Sequence, residues 1–164
     1  MSRTLRCWSA LLLLAASLSP AAAADAPLGR WLATEADQKS TSIIELYLEG
    51  DQLAGRVVEV VDRNGQAVAD TCADCPGELQ GQAIVGMRFL WGLHEENGRW
   101  TGGKVMDLRD GLTQGVIANA DLEVTGDTLT LHAYLGLRAF GQSRTWHRAN
   151  AASRQTPPQA AETR

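Results

Sequence analysis

Basic charge is what this chain is short of. Fifteen Lys and Arg stand against 19 Asp and Glu over 164 residues, a net charge of −4. A nucleic-acid binder needs a basic stripe or patch, so nucleic acid is excluded as a partner. Long apolar runs are missing too. The run from Trp8 to Leu18 falls short of the about 20 residues that a membrane-spanning helix needs, so no integral span is expected. Histidine occurs three times, at His94, His132 and His147, with no two at a paired metal-ligand spacing. There is no G-x-S-x-G, no H-E-x-x-H and no phosphate-cradling glycine loop opening a helix. Gly102-Gly103-Lys104 sits in a strand pattern, and Glu95-Glu96 reads as a solvated turn. No catalytic role, cofactor or metal is therefore expected.

What the chain does carry begins at its N-terminus. "MSRTLRCWSALLLLAASLSPAAAADA" places Arg3 and Arg6 before the apolar run and a small-residue stretch, Ala22 to Ala24, after it. That order is the layout of a secretory signal peptide over residues 1–24. Cys7 lies within it, far upstream of the cut, so no lipid anchor is expected and the product is read as periplasmic or secreted. The segment holds two of the 15 basic side chains and none of the acidic ones, so the remainder has net charge −6 (13 against 19). The polar stretch 149–164, with two prolines and no apolar periodicity, reads as a disordered tail. Residues 25–148 remain as one domain.

Within that domain the apolar period is two, not 3.6. Ile44, Leu46 and Leu48 alternate with Glu45, Tyr47 and Glu49 before a Gly50-Asp51 turn. Leu129, Leu131, Ala133 and Leu135 alternate with Thr128, Thr130, His132 and Tyr134 after a Gly126-Asp127 turn. About eight short strands of this kind, several with an internal glycine, predict an all-β antiparallel up-and-down barrel with little or no helix. An outer-membrane barrel is excluded because the outward positions carry Glu, Thr, His and Arg instead of an apolar band.

Two cysteines remain after export, at Cys72 and Cys75 in "TCADCPGELQGQ". A redox centre would place the first at a helix N-terminus in a βαβ setting, and here Pro76-Gly77 and a loop follow. A zinc site would need two further ligands. An oxidising compartment and an even count favour a structural disulfide that fixes the long connection from Arg63 to Gln82.

Several segments together resemble a known family. They are Gly29-Arg30-Trp31, "IIELYLEGDQLAGRVVEV", "CADCPGELQGQAIVGMRFLWGL", "GGKVMDLRDG" and "LGLRAFGQSRTWHR", running from Gly29 to Arg148. The chain resembles the small secreted bacterial proteins called domain of unknown function 2147, which implies a compact lipocalin-like barrel. One departure stands out: "DLRDGLTQ", Asp107 to Gln114, replaces the family's Asp-Pro, basic residue, Asn-Gly-Lys and aromatic. The resemblance also implies that Trp31 seats its indole at the closed end beneath an arginine from the last strand. Arg144 is the first choice for that arginine and Arg148 the second.

A barrel of eight strands can be filled by side chains or hold one small ligand. Leu46, Leu48, Leu129 and Leu131 are expected to point inward, with Trp91 and Trp100 framing an open end. The leading expectation is thus a small hydrophobic ligand. The alternatives are a protein-interaction or envelope-structural module with a packed barrel, and a thiol-redox factor using Cys72 and Cys75.

Overall fold

The computed structural model describes residues 26–34 and 39–149. Residues 1–24, expected to be a signal peptide, and the expected disordered tail beyond Ala149 lie outside these residues. Eight strands follow in chain order: β1 (Gly29–Thr34), β2 (Ser40–Glu49), β3 (Gln52–Asp62), β4 (Arg88–Glu96), β5 (Arg99–Met106), β6 (Ile117–Thr125), β7 (Thr128–Tyr134) and β8 (Gln142–Arg148). Each pairs antiparallel with its neighbours in sequence, and β8 returns to β1, which closes an up-and-down barrel. Single 3-10 turns at Gly77–Leu79 and Arg138–Phe140 interrupt two of the loops.

The connections divide the barrel into two unlike ends. One, the turn end, joins β2 to β3, β4 to β5 and β6 to β7 by two-residue hairpins. Asn97-Gly98 is the clearest of these, since both residues adopt positive φ (53° and 79°), as the mirror-image turns matching strand twist require. The other, the loop end, carries the long segments 63–87, 107–116 and 135–141.

The period-two pattern places the core where it predicts, with exceptions that have physical causes. Trp31, Leu46, Leu53, Leu90, Leu93, Met106, Leu122 and Leu129 are all less than 2 % exposed or at that limit and fill the interior. Each such leucine contributes about 1.5–3 kcal/mol by leaving water. Ile43 and Ile44 are adjacent yet both buried: Ile44 joins the interior cluster opposite Trp31, whereas Ile43, opposite Leu32, is buried outside that cluster. Leu48 was expected inside but is 46 % exposed. It stands opposite the fully buried Leu53, so its face is right, but it occupies the rim of the turn end. Leu135 also departs from its expected inward place, at 65 % exposure, because β7 ends at Tyr134 and the alternation ends with it.

Candidate functional site

The turn end is sealed by one aromatic and one guanidinium. Trp31 is fully buried and its Nε1–H donates to the Pro27 carbonyl at 2.7 Å. The arginine above its ring is Arg148, with its guanidinium carbon 4.3 Å from the centroid. Arg148 also donates to the carbonyls of Leu28 (3.2 Å) and Ala26 (3.0 Å) and pairs with Asp127. The expectation of Arg144 in this place is corrected. Register puts Arg148 opposite Trp31 and Arg144 opposite Leu131. Four residues of strand, roughly 13 Å, separate the two arginines, so Arg144 lies exposed towards the loop end.

At the loop end, segment 63–87 folds over the interior. Cys72 and Cys75 lie at disulfide distance, with Cα atoms 5.4 Å apart. Both belong to the core, at 0 % and 3 % exposure, and Cys75 Sγ lies 3.8 Å from Met106 Sδ. Backbone bonds stitch the segment to itself: Cys72 N donates to Gln82 O and Ile84 N to Asp70 O, both at 2.9 Å. Buried Gln114 then ties it to segment 107–116. Its Oε1 accepts from Asp74 N at 3.1 Å, while its Nε2 donates to Leu108 O and to Asp110 Oδ1. Gly115 allows this approach, since a Cβ there would collide with the Asp74 carbonyl.

The variant motif Asp107 to Gln114 is itself ordered by a carboxylate. Asp107 accepts from the backbone N–H, Nε and Nη2 of Arg109 and from the Thr113 hydroxyl. Burial pushes the Asp107 carboxyl up, and these donors outweigh it and hold it below the usual aspartate range. The loop so held presents Leu112, fully exposed, at its tip.

The residues expected to line a ligand cavity do not converge on one. Leu46, Leu129 and Leu131 are buried in the interior beside Phe89 and Trp146, whose rings are 6.1 Å apart. Trp91 stands on the outer wall, opposite Lys104 and beneath the Arg88 guanidinium at 5.9 Å. Trp100 lies half-buried at the turn end, opposite Leu122. The two tryptophans therefore frame no common opening. Their near-symmetric spacing about "HEENG" suggested one, but they fall on opposite faces of the sheet.

Two concavities open on the outer wall instead. One, about 240 Å³, is lined by Arg30, Glu45, Arg56, Val57 and Val85. The other, about 290 Å³, is lined by Arg99, Asp121, Glu123, Thr130, His132, Arg138 and Ser143 on β5 to β8. Asp121 is 4 % exposed although it lies on the outer face, because segment 135–141 folds back over it. Its Oδ1 accepts from Gly102 N at 3.2 Å. Its Oδ2 finds no well-angled hydrogen bond, but lies 2.5 Å from Arg138 Nη2, and at that separation the ion pair is the governing contact. The sequence hid this cleft among ordinary outward-facing polar positions. Among the described residues, no three His, Cys, Asp or Glu group as a metal site, and no helix is long and apolar enough to cross a membrane.

Closed up-and-down topology with a Gly-x-Trp first strand under a last-strand arginine defines a lipocalin-like barrel. A solved structure with the same architecture is "Protein HP1028 from the human pathogen Helicobacter pylori", described as belonging to the lipocalin family. It superposes with a TM-score of 0.64 over 77 % of this chain and 84 % of its own, at 18 % identity. The family model for uncharacterized proteins conserved in bacteria, DUF2147, matches residues 29–148, and the chain belongs to that family. No curated protein matches.

Proposed function

We propose that this protein is an exported, internally packed barrel that docks a partner polypeptide on its loop end. The uneven placement of exposed apolar side chains carries this reading. Among the described residues, Leu79, Val85, Leu112, Val116, Ile117, Leu135, Leu137 and Phe140 are exposed at the loop end, against Leu28 and Leu48 at the turn end. Apolar surface gathered on one face marks an interaction site more often than scattered residues do. The same loops carry Arg63, Arg109 and Arg138 against Asp70, Asp74, Glu78, Asp107 and Asp110. That acidic balance suits a partner segment that is apolar and basic, and disfavours an anionic phospholipid surface. Export rests on the basic, apolar and small-residue order of residues 1–24.

A small hydrophobic ligand is the second reading, supported by the lipocalin-like fold. It ranks lower because entry would displace the buried Cys72–Cys75 segment and the side chains beneath it. A photo-crosslinking residue placed at Leu137, with Asp51 at the turn end as control, tests the choice in cells. One discrete protein adduct is expected from Leu137, none from Asp51, and its loss in a Phe140→Glu background. Equal adducts from both ends, or none, would overturn the docking reading. A small molecule that accompanies the native protein and leaves on denaturation would favour the second.

A further inference from the structure

We propose that Ser143 is a reactive nucleophile activated by His132, and that the cleft on the β6–β8 wall takes small carboxylic esters. Strand register sets Asp121, His132 and Ser143 in one outward-facing row across three neighbouring strands. His132 Nε2 lies 2.9 Å from the Arg138 carbonyl oxygen, which can only accept, so Nε2 carries the proton. Nδ1 is then the bare nitrogen, and its partner at 3.0 Å, Ser143 Oγ, must donate to it. A hydroxyl donating to an imidazole whose other nitrogen is held by a third group is the arrangement that activates a serine.

The surroundings fix that arrangement and leave Ser143 open. Gly141 passes so close to His132 that a Cβ there would sit 2.5 Å from Nε2, which locks the ring against segment 135–141. Tyr134 stacks on the other side, with centroids 5.7 Å apart. Ser143 itself is exposed on the wall of the 290 Å³ cleft. Arg99 and Arg138 line the same cleft, each held by a carboxylate, Glu123 and Asp121 in turn. Buried Asp121 pairs with the Arg138 side chain and so anchors the residue whose carbonyl holds His132 Nε2. In the reaction Ser143 Oγ bonds to the ester carbonyl carbon while its proton passes to His132 Nδ1. The carbon–alkoxide bond breaks, and the departing alkoxide takes that proton. Water then attacks the acyl-serine, again giving its proton through His132, and the carboxylic acid leaves with Ser143 restored.

The test is labelling of the purified protein with a fluorophosphonate, whose fluoride leaves as Oγ bonds to phosphorus. Peptide mass mapping is expected to find the adduct on Ser143, forming at least about tenfold faster than on Ser40 or Ser42 of the same molecules. Ser143→Ala abolishes it and 4-nitrophenyl acetate hydrolysis with it. His132→Gln keeps a donor for the Arg138 carbonyl but removes the base, and is expected to slow labelling by about 100-fold or more. No adduct on Ser143, a rate equal to that of Ser40 and Ser42, or labelling unchanged in folded His132→Gln would each overturn the proposal. The same bonds would then only fasten segment 135–141 to the wall.

Discussion

The two ends of this barrel are closed by different physics. At the turn end a single fully buried indole fills the space, and one arginine covers it with three kinds of contact at once: a π-face, two carbonyls and a carboxylate. At the loop end closure takes about 25 residues of irregular chain (segment 63–87), a local cystine and a glutamine shared between loops. The first arrangement depends on one large side chain and is all-or-none. The second is distributed, so it can lose one member and keep its course. The first leaves little apolar surface outside, whereas the second leaves a great deal. A seal made of one buried group has nothing to offer a partner, and a seal made of loops does.

That contrast can be broken first at the turn end. Trp31→Ala is expected to cost about 3–5 kcal/mol, because a buried indole leaves a cavity that the barrel wall cannot collapse to fill. Urea unfolding would show it as a lowered midpoint for the whole domain. Arg148→Ala should cost less, about 1–3 kcal/mol, through the exposed ring face and the unmet Leu28 and Ala26 carbonyls. Arg144→Ala should stay within about 0.5 kcal/mol, which makes the pair of arginine variants a direct check on register.

At the loop end the expected losses are smaller and local. Gln114→Ala strands the Asp74 N–H and should cost about 1–3 kcal/mol, read as faster hydrogen exchange at Asp74 and Cys75 ahead of the barrel strands. Replacing both cysteines by serine is expected to cost less than the about 3 kcal/mol of a fifteen-residue loop, with the damage confined to segment 63–87. Equal losses of global stability from Gln114→Ala and Trp31→Ala would remove the distinction between the ends.

A pH titration gives the smallest effect. The Asp107 carboxyl is held below its ordinary range in the folded protein, so its contribution is present above the unfolded value and is lost as pH falls through the folded one. Acidification should therefore loosen segment 107–116 before the strands, seen as exchange broadening at Arg109 and Thr113. Asp107→Asn should show that looseness at neutral pH and flatten the acid response.

Much of this was legible from residue order. Period-two alternation and two-residue turns are local properties, and they locate the strands and most of the core. The closeness of Cys72 and Cys75 was legible from their spacing. What stayed hidden depends on partners distant in sequence. Choosing between Arg144 and Arg148 needs the β1–β8 register, which no local pattern encodes. The rim position of Leu48 comes from the end of its strand, which exposes an inward-facing residue without changing composition. The row of Asp121, His132 and Ser143 is assembled from three strands, and in sequence each member is an ordinary polar residue on an outward face.

The seam between the first and last strands has a consequence for how the chain reaches this form. Trp31 meets Arg148, and Leu28 meets the same arginine across 120 residues of chain, with β1 and β8 in register at only two pairs. Closing so long a loop costs entropy before any contact offsets it, so this is expected to be the slow step of folding. A chain still emerging from a ribosome can form its hairpins in turn, but it cannot become a barrel until residue 148 is free. The molecule's last few strand residues thus act as a timer, delaying the finished shape until synthesis is complete.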